Sequence, residues 1–316
     1  MTHPASRPEA EHVSPFRRLL RWCYTPLRPK LGVLRQHPPR PLVLPARYAG
    51  ERASAAAPRI SIVVPSYNQG RFLRATLDSV LVQSYPNLEL IVQDGGSSDE
   101  SPVIMKEYAG RLKHGESRPD SGQAEAINRG FTHATGDILA WLNSDDLLLP
   151  GALACIGNFF ERNPGVDAIY GHRVLIDDSG REIGRWVLPA HDDEILRWSD
   201  FVPQETLFWR RRIWDRVGAS VDESFRFALD WDLLLRFLEK GARFSRLPRF
   251  LGAFRIHEAQ KTSAEMGGTG AREIDRLLRR VHGRPLTERE VSAAVRNYIR
   301  WSGVVNRLYR LGLLGY

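Results

Sequence analysis

The chain has 316 residues and a mass of 35.9 kDa, enough for one large α/β domain with extensions. With 42% hydrophobic and 26% charged residues it is neither disordered nor collagenous, and its two cysteines, Cys23 and Cys155, support neither a disulfide framework nor a thiolate zinc site. The net charge of +8 sits at the ends: residues 1–58 hold ten Lys and Arg against three Asp and Glu, and residues 272–316 hold ten Arg against four. Such basic arms suit nucleic acid, an anionic membrane or an acidic polymer, or are simply solvated termini. No run reaches the roughly 18 apolar residues that a membrane-spanning helix needs. The opening MTHPASRPEAEH lacks the apolar core of a signal peptide, so a reducing, cytoplasmic setting is expected.

Taken in chain order, residues 1–58 read as a proline-rich basic arm and linker, with one short amphipathic helix over 16–24. The texture changes at Arg59. Residues 60–64 (ISIVV) are a short β-branched run, as in a buried parallel strand. A polar turn follows, then a helix carrying Leu73, Leu77, Val80 and Leu81 on one face. Residues 88–93 form a second strand that ends at Asp94-Gly95-Gly96-Ser97. Helices are expected over 101–108 and 123–133, and strands over 138–142 and 166–170. This alternation predicts an α/β layer with a mostly parallel sheet. Residues 59–271 would form one α/β domain and 272–316 a basic helical extension.

The carboxylates fall at strand ends. Asp94 follows the second strand, and Asp145-Asp146 follow the strand over 138–142. Open α/β sheets bind ligands in the crevice outside those ends. Two adjacent carboxylates repel unless solvated or bridged by a cation, and hard divalent ions take carboxylate oxygens. The pair also suits a turn that caps a helix over 147–160. Asp94 can accept a hydrogen bond from a base or ribose, or build a turn. Asp120, before the helix over 123–133, can cap it or contact a nucleotide. Asp230-Trp231-Asp232 opens an apolar helix. Asp232 suits a cap there, leaving Asp230 to face a cleft as a desolvated general base. His257 is a further candidate ligand or phosphate contact, or a structural histidine.

Together these segments resemble the family 2 glycosyltransferases, of the type that builds bacterial cell-surface polysaccharides. The resemblance runs through ISIVVPSYNQGRFLRATLDSVLVQSYPNLELIVQDGGSSDES, PDSGQAEAINRG, ATGDILAWLNSDD, QETLFWRRRIWDRVG and LDWDLLLRF, covering roughly residues 59–260. It implies a GT-A fold with a Rossmann-like central sheet flanked by helices. It also implies transfer of a sugar, with inversion, from a nucleotide diphosphate sugar, foremost a UDP-sugar, to an acceptor hydroxyl. Pro65, Ser66, Tyr67, Asp94, Asp120 and Asp145 would hold the donor. Asp146, with Asp145 and His257 as further ligands, would hold Mg2+ or Mn2+. Asp230 would be the base. Leu229 stands before the base, where many members are acidic. Asn143-Ser144-Asp145-Asp146 replaces the frequent Asp-rich triplet. The acceptor would be a glycan or lipid-linked glycan, at the inner face of the cell membrane.

Two other classes leave different signatures. A Rossmann oxidoreductase needs G-x-G-x-x-G after the first strand, and Pro65-Ser66-Tyr67-Asn68-Gln69-Gly70 stands there. A non-catalytic nucleotide-sugar or glycan-binding protein would not need Asp145, Asp146 and Asp230 together. No nucleic-acid partner is expected, since zinc spacing and a recognition-helix motif are both missing.

Overall fold

The structure, a computed structural model, describes residues 36–257 and 266–316. The expected helix over 16–24, with Cys23, lies outside the described residues. A single helical turn, α1 (Arg47–Gly50), buries Tyr48. Strand β1 (Ile60–Ser66) is buried along its whole length, as its β-branched run demands. Helix α2 (Gly70–Leu81) follows and buries Phe72, Leu73, Thr76, Leu77 and Val80, the one-sided spacing of a helix on a sheet. Then come β2 (Leu88–Asp94), α3 (Ser101–Tyr108), β3 (His114–Ser117), α4 (Gln123–Phe131) and β4 (Ile138–Trp141). The four strands lie in the order β3-β2-β1-β4, all parallel. In this half the expected strands and helices agree with the structure to within about two residues, but the edge strand β3, whose sequence HGES has no apolar run, was not anticipated.

Beyond β4 the sheet changes character. It continues through β5 (Leu147–Leu148), α5 (Ala152–Arg162), β6 (Ala168–Ile176), β7 (Glu182–Trp186) and α6 (Asp193–Leu196). Then come β8 (Phe208–Arg210), α7 (Arg211–Arg216), α8 (Leu229–Glu239) and β9 (Phe244–Arg255). The full order is β3-β2-β1-β4-β8-β6-β9-β5, with β7 beside β6. Strand β8 runs antiparallel to both β4 and β6, whereas β6 and β9 are parallel. The result is one mixed nine-stranded sheet flanked by helices.

The helix anticipated directly after Asp146 starts later. Leu147 and Leu148 instead pair antiparallel with Ala253 and Gly252 of β9. Pro150 and Gly151, the latter at φ +69°, separate that pairing from α5. The acidic turn therefore spans from β4, in the middle of the sheet, to the strand on its far edge.

Two helices complete the described chain: α9 (Ala271–His282) and α10 (Glu288–Arg310). Leu277, Leu278 and Val295 enter the main core with Trp209, Trp214, Trp231 and Phe237. Val305 enters a smaller core with Tyr48, Val174 and Phe250, against which Leu42 and Leu44 of the linker also pack. Both extensions thus touch the central sheet, and Arg40 reaches the buried Glu182 at 2.5 Å.

Candidate active site

The donor side is built by two strand-end turns. Asp94, fully buried, accepts from Gly96 N (3.1 Å), Ser97 N (2.8 Å), Ser97 Oγ (2.5 Å) and Ser117 Oγ (2.6 Å). A carboxylate has about four lone-pair sites, so this one is already satisfied. A nucleotide base could reach it only if a serine hydroxyl turned away. Asn68 N donates to Ser97 Oγ and Ser98 N to Asn68 Oδ1, which knits the turn after β1 to the turn after β2. Pro65 and Ser66 end β1 beside this turn, and both are buried. The Ser66 hydroxyl has no partner among the described residues. Tyr67, next along, is 62% exposed. Asp120 lies against Gly95: a Cβ there would meet Asp120 Oδ2 at 2.8 Å, so only glycine admits the contact. Burial pushes the Asp120 carboxyl up, and the charges of Glu125 and Asp94 add to it, against the pull of Gly122 N and Arg129.

The acidic turn after β4 is held from three sides. Thr76 Oγ1 lies 2.8 Å from both Ser144 O and Asp146 O. Arg255 N donates to Asp146 Oδ1 (3.0 Å), and Arg255 Nε donates to the Asp145 carbonyl (2.8 Å). Gln123 Nε2 donates to Asn143 Oδ1 (2.7 Å). Asp146 is buried; burial pushes its carboxyl well up, and Asp145 and Glu205 push it further. His257 Nε2 sits 3.0 Å from Asp145 Oδ2. At that distance the two side chains are hydrogen-bonded, so a cation held between them would have to replace that bond. Asp146 Oδ2 has a long 3.5 Å contact with Asn143 Nδ2. No group of three His, Cys, Asp or Glu among the described residues is gathered to hold a cation unaided. The residues fit a divalent ion that takes its remaining ligands from a substrate diphosphate.

Asp230 stands in the first turn of α8, half-buried. Trp231 N donates to its Oδ1 (2.9 Å), and burial pushes the carboxyl up against that bond. The expected cap by Asp232 is not formed. Asp232 is fully buried and accepts from Arg236 Nε (2.8 Å) and Arg280 Nη1 (2.5 Å). The entrance to α8 is secured by Glu273 of α9, which accepts from Arg226 N, Phe227 N and Ala228 N at 2.8–2.9 Å. A carboxylate at a helix N-terminus also meets the positive end of the helix dipole. The C-terminal helices therefore position the helix that carries Asp230.

Three side chains join these parts and carried no signal that sequence reasoning used. Arg173 of β6 makes a two-pronged ion pair with the buried Glu205, one arm at 2.8 Å. Burial opposes the Arg173 charge, but Glu205 outweighs it and raises the guanidinium pKa. Glu205 acts on Asp146 and on Asp230, and Arg173 draws both down. One ion pair thus lies within electrostatic reach of both the acidic turn and Asp230. Asp200 is the third. Burial and the Asp230 charge push its carboxyl well up. Only Gly252 hinted at this arrangement: a Cβ there would meet Glu205 Cγ at 2.7 Å.

A mixed sheet with acidic and glycine-rich turns at the strand ends of its parallel half defines an α/β protein of the kind that binds ligands at those ends. The model for Glycosyl transferase family 2 matches residues 61–218, and the chain belongs to that family. A "PGL/p-HBAD biosynthesis glycosyltransferase" of Mycobacterium bovis is 30% identical over 260 residues, covering 80% of this chain and 94% of that protein. An uncharacterised glycosyltransferase of Rickettsia typhi is 28% identical, covering 66% and 68%. Among solved structures, S. aureus TarS 1–349 in complex with UDP-GlcNAc aligns with a TM-score of 0.59 at 18% identity, over 76% of this chain and 71% of that one. Mannosyltransferase PcManGT from Pyrobaculum calidifontis, in complex with GDP-Man and Mn2+, aligns with a TM-score of 0.58 at 18% identity, over 95% and 83%. Both likenesses support the GT-A fold. Among the described residues no helix is long and apolar enough to cross a membrane.

Proposed function

We propose that the chain transfers a sugar, with inversion, from a nucleotide diphosphate sugar to a hydroxyl of a glycan or glycolipid acceptor. The UDP-sugars are the first donors to test. The observation that carries the reading is the Arg173–Glu205 pair, which acts on both Asp146 and Asp230. On this reading the pair would sit between a site for the donor diphosphate and a base for the acceptor. Pro65, Ser66, Tyr67, Asp94 and Asp120 would line the nucleoside pocket. Asp145, Asp146 and His257 would hold Mg2+ or Mn2+, which when bound offsets the charge of the departing diphosphate.

Asp230 would take the proton of the acceptor hydroxyl as its oxygen attacks the anomeric carbon. The carbon–oxygen bond to the nucleoside diphosphate breaks on the opposite face. A single displacement inverts the centre, and the raised pKa brings the base closer to the neutral range in which it must work. The relative named for PGL/p-HBAD biosynthesis favours glycolipid acceptors as the first to screen. The test is a panel of UDP- and GDP-sugars with simple glycoside acceptors, with Mn2+ or chelator, and NMR of the product anomer. Cation-stimulated transfer with inverted configuration is expected. Retention, or donor binding without any turnover across the panel, would overturn the reading.

A further inference from the structure

We propose that α10 and the residues after it lay the protein on an anionic lipid surface through a stripe of arginine and large apolar side chains. The inference does not depend on donor chemistry. Helix α10 has two faces. One buries Val295 and Val305 and half-buries Tyr298 and Ile299 against the core. It is clipped in place by Asn306 Nδ2 to Val187 O (2.8 Å) and by Arg185 Nη1 to Tyr309 Oη (2.7 Å). The other face is exposed at Arg296, Arg300, Val304, Arg307 and Leu311, steps of three and four that stack on one side of a helix. Trp301 flanks this stripe and Leu313 follows it. Their exposures are 55% for Trp301, 44% for Val304, 65% for Leu311 and 67% for Leu313.

Three features together select a bilayer. Four of the eight large hydrophobic side chains that are exposed among the described residues fall in these last sixteen positions, so the apolar surface is concentrated here. No Asp or Glu occurs between 291 and 316, while four Arg do. The stripe thus offers positive charge to an anionic surface and apolar side chains to the layer beneath its headgroups. A nucleic acid would meet the arginines but leave Val304, Leu311 and Leu313 in water. A second copy docked on a two-fold axis would set Arg296, Arg300 and Arg307 against one another. Placement adds a consequence. Val187, to which α10 is clipped, follows Trp186, and Trp186 pairs with Arg173 of the candidate active site. A lipid-linked acceptor would thus meet the protein one strand away from that site.

The test uses the full chain and vesicles of phosphatidylcholine alone or doped with phosphatidylglycerol, spun at low and high salt. Binding should require the anionic lipid and fall with salt. Combined Arg296→Gln, Arg300→Gln and Arg307→Gln should weaken it on the order of 100-fold, since each basic side chain near such a leaflet is worth roughly a factor of five. Leu311→Ser with Leu313→Ser should weaken it by about 10-fold or more. Neither set should change the thermal melt or donor binding. Quenching of tryptophan fluorescence by brominated lipid should be largely lost in Trp301→Phe, which retains vesicle binding. Equal binding to neutral vesicles, no binding to either, or wild-type binding by both variant sets would overturn the proposal. So would self-association, or capture of an acidic polymer alone, that the same substitutions abolish.

Discussion

The two halves of the sheet reach their working geometry by different routes. In the parallel half, β3-β2-β1-β4, Asp94 sits at the end of its own strand and is fixed mainly by its own turn. Asp94 is held by Gly96 and Ser97, two and three residues away. In the β8-β6-β9 half, the groups come from distant segments. Arg173 meets Glu205 across 32 residues, and Arg255 meets Asp145 across 110. Strand-end turns are a local solution and tolerate change in their neighbours. A buried ion pair between distant segments is all or nothing, because removing one partner strands the other charge in a low-dielectric interior.

That contrast sets the order of expected effects. The largest is Arg173→Met, which should destabilise by about 3–5 kcal/mol in urea unfolding, the usual cost of an orphaned buried charge. Adding Glu205→Leu should recover most of that stability but not transfer, since the link between the acidic turn and Asp230 would be gone. If the double substitution is as unstable as the single one, the pair is not the keystone of this half. Next, Gly252→Ala should cost about 1–3 kcal/mol, because its Cβ would overlap Glu205 Cγ. In the parallel half, Ser117→Ala should cost only about 0.5–1.5 kcal/mol, one hydrogen bond to Asp94. It should shift the donor KM more than kcat.

The two halves should also respond to acid in offset windows. His172 of β6 is buried with no carboxylate partner among the described residues, and burial, with help from Arg246, pushes it down to about 3 from 6.5. Its folded pKa lies below its unfolded one. Stability therefore declines as pH falls from 6.5 towards 3, because the unfolded chain takes up the proton more readily. Glu89 of β2 feels burial first. Hydrogen bonds from Ser61 and Thr135, with the charge of Lys113, outweigh it and hold the carboxyl near about 2 instead of 4.5. Its contribution is complete above pH 4.5 and disappears as pH falls through about 2. His172→Gln should flatten the stability profile between pH 6.5 and 4.5, and Glu89→Gln should flatten it only below. Identical profiles for both variants would contradict the assignment.

Smallest of all is Asp200→Asn. Burial, and after it the Asp230 charge, push the Asp200 carboxyl well up and so favour its neutral form. A neutral amide resembles that favoured form. Transfer at neutral pH should change by no more than a few-fold, whereas Asp200→Leu should impair it further by removing the polar neighbour.

How much of this was legible follows the same division. Strands β1, β2 and β4 and the carboxylates that follow β2 and β4 were readable because apolar runs and glycine-rich turns are local patterns. Asp94, Asp145 and Asp146 were singled out in that way, and Asp230 by its place at the start of an apolar helix. Strand β3 was not readable, because HGES has no apolar run. The β5 pairing was not readable, because two leucines match a helix as well as an edge strand until β9 is in place. Nor was the fate of Asp232, which a helix start favours as a cap. Its buried pairing with Arg280 depends on α9, 48 residues on. Arg173, Glu205 and Asp200 are single charged residues among many, and only the packed fold tells them apart.

The central claim is that Asp230 serves the acceptor while the acidic turn serves the donor. The most direct measurement is Asp230→Asn, with donor affinity by calorimetry in Mn2+ and transfer rate measured on the same preparation. The account predicts unchanged donor affinity and transfer slower by about 10²–10⁴-fold, the usual worth of a positioned base. Transfer within a few-fold of the native enzyme, or a parallel loss of donor binding, would contradict it.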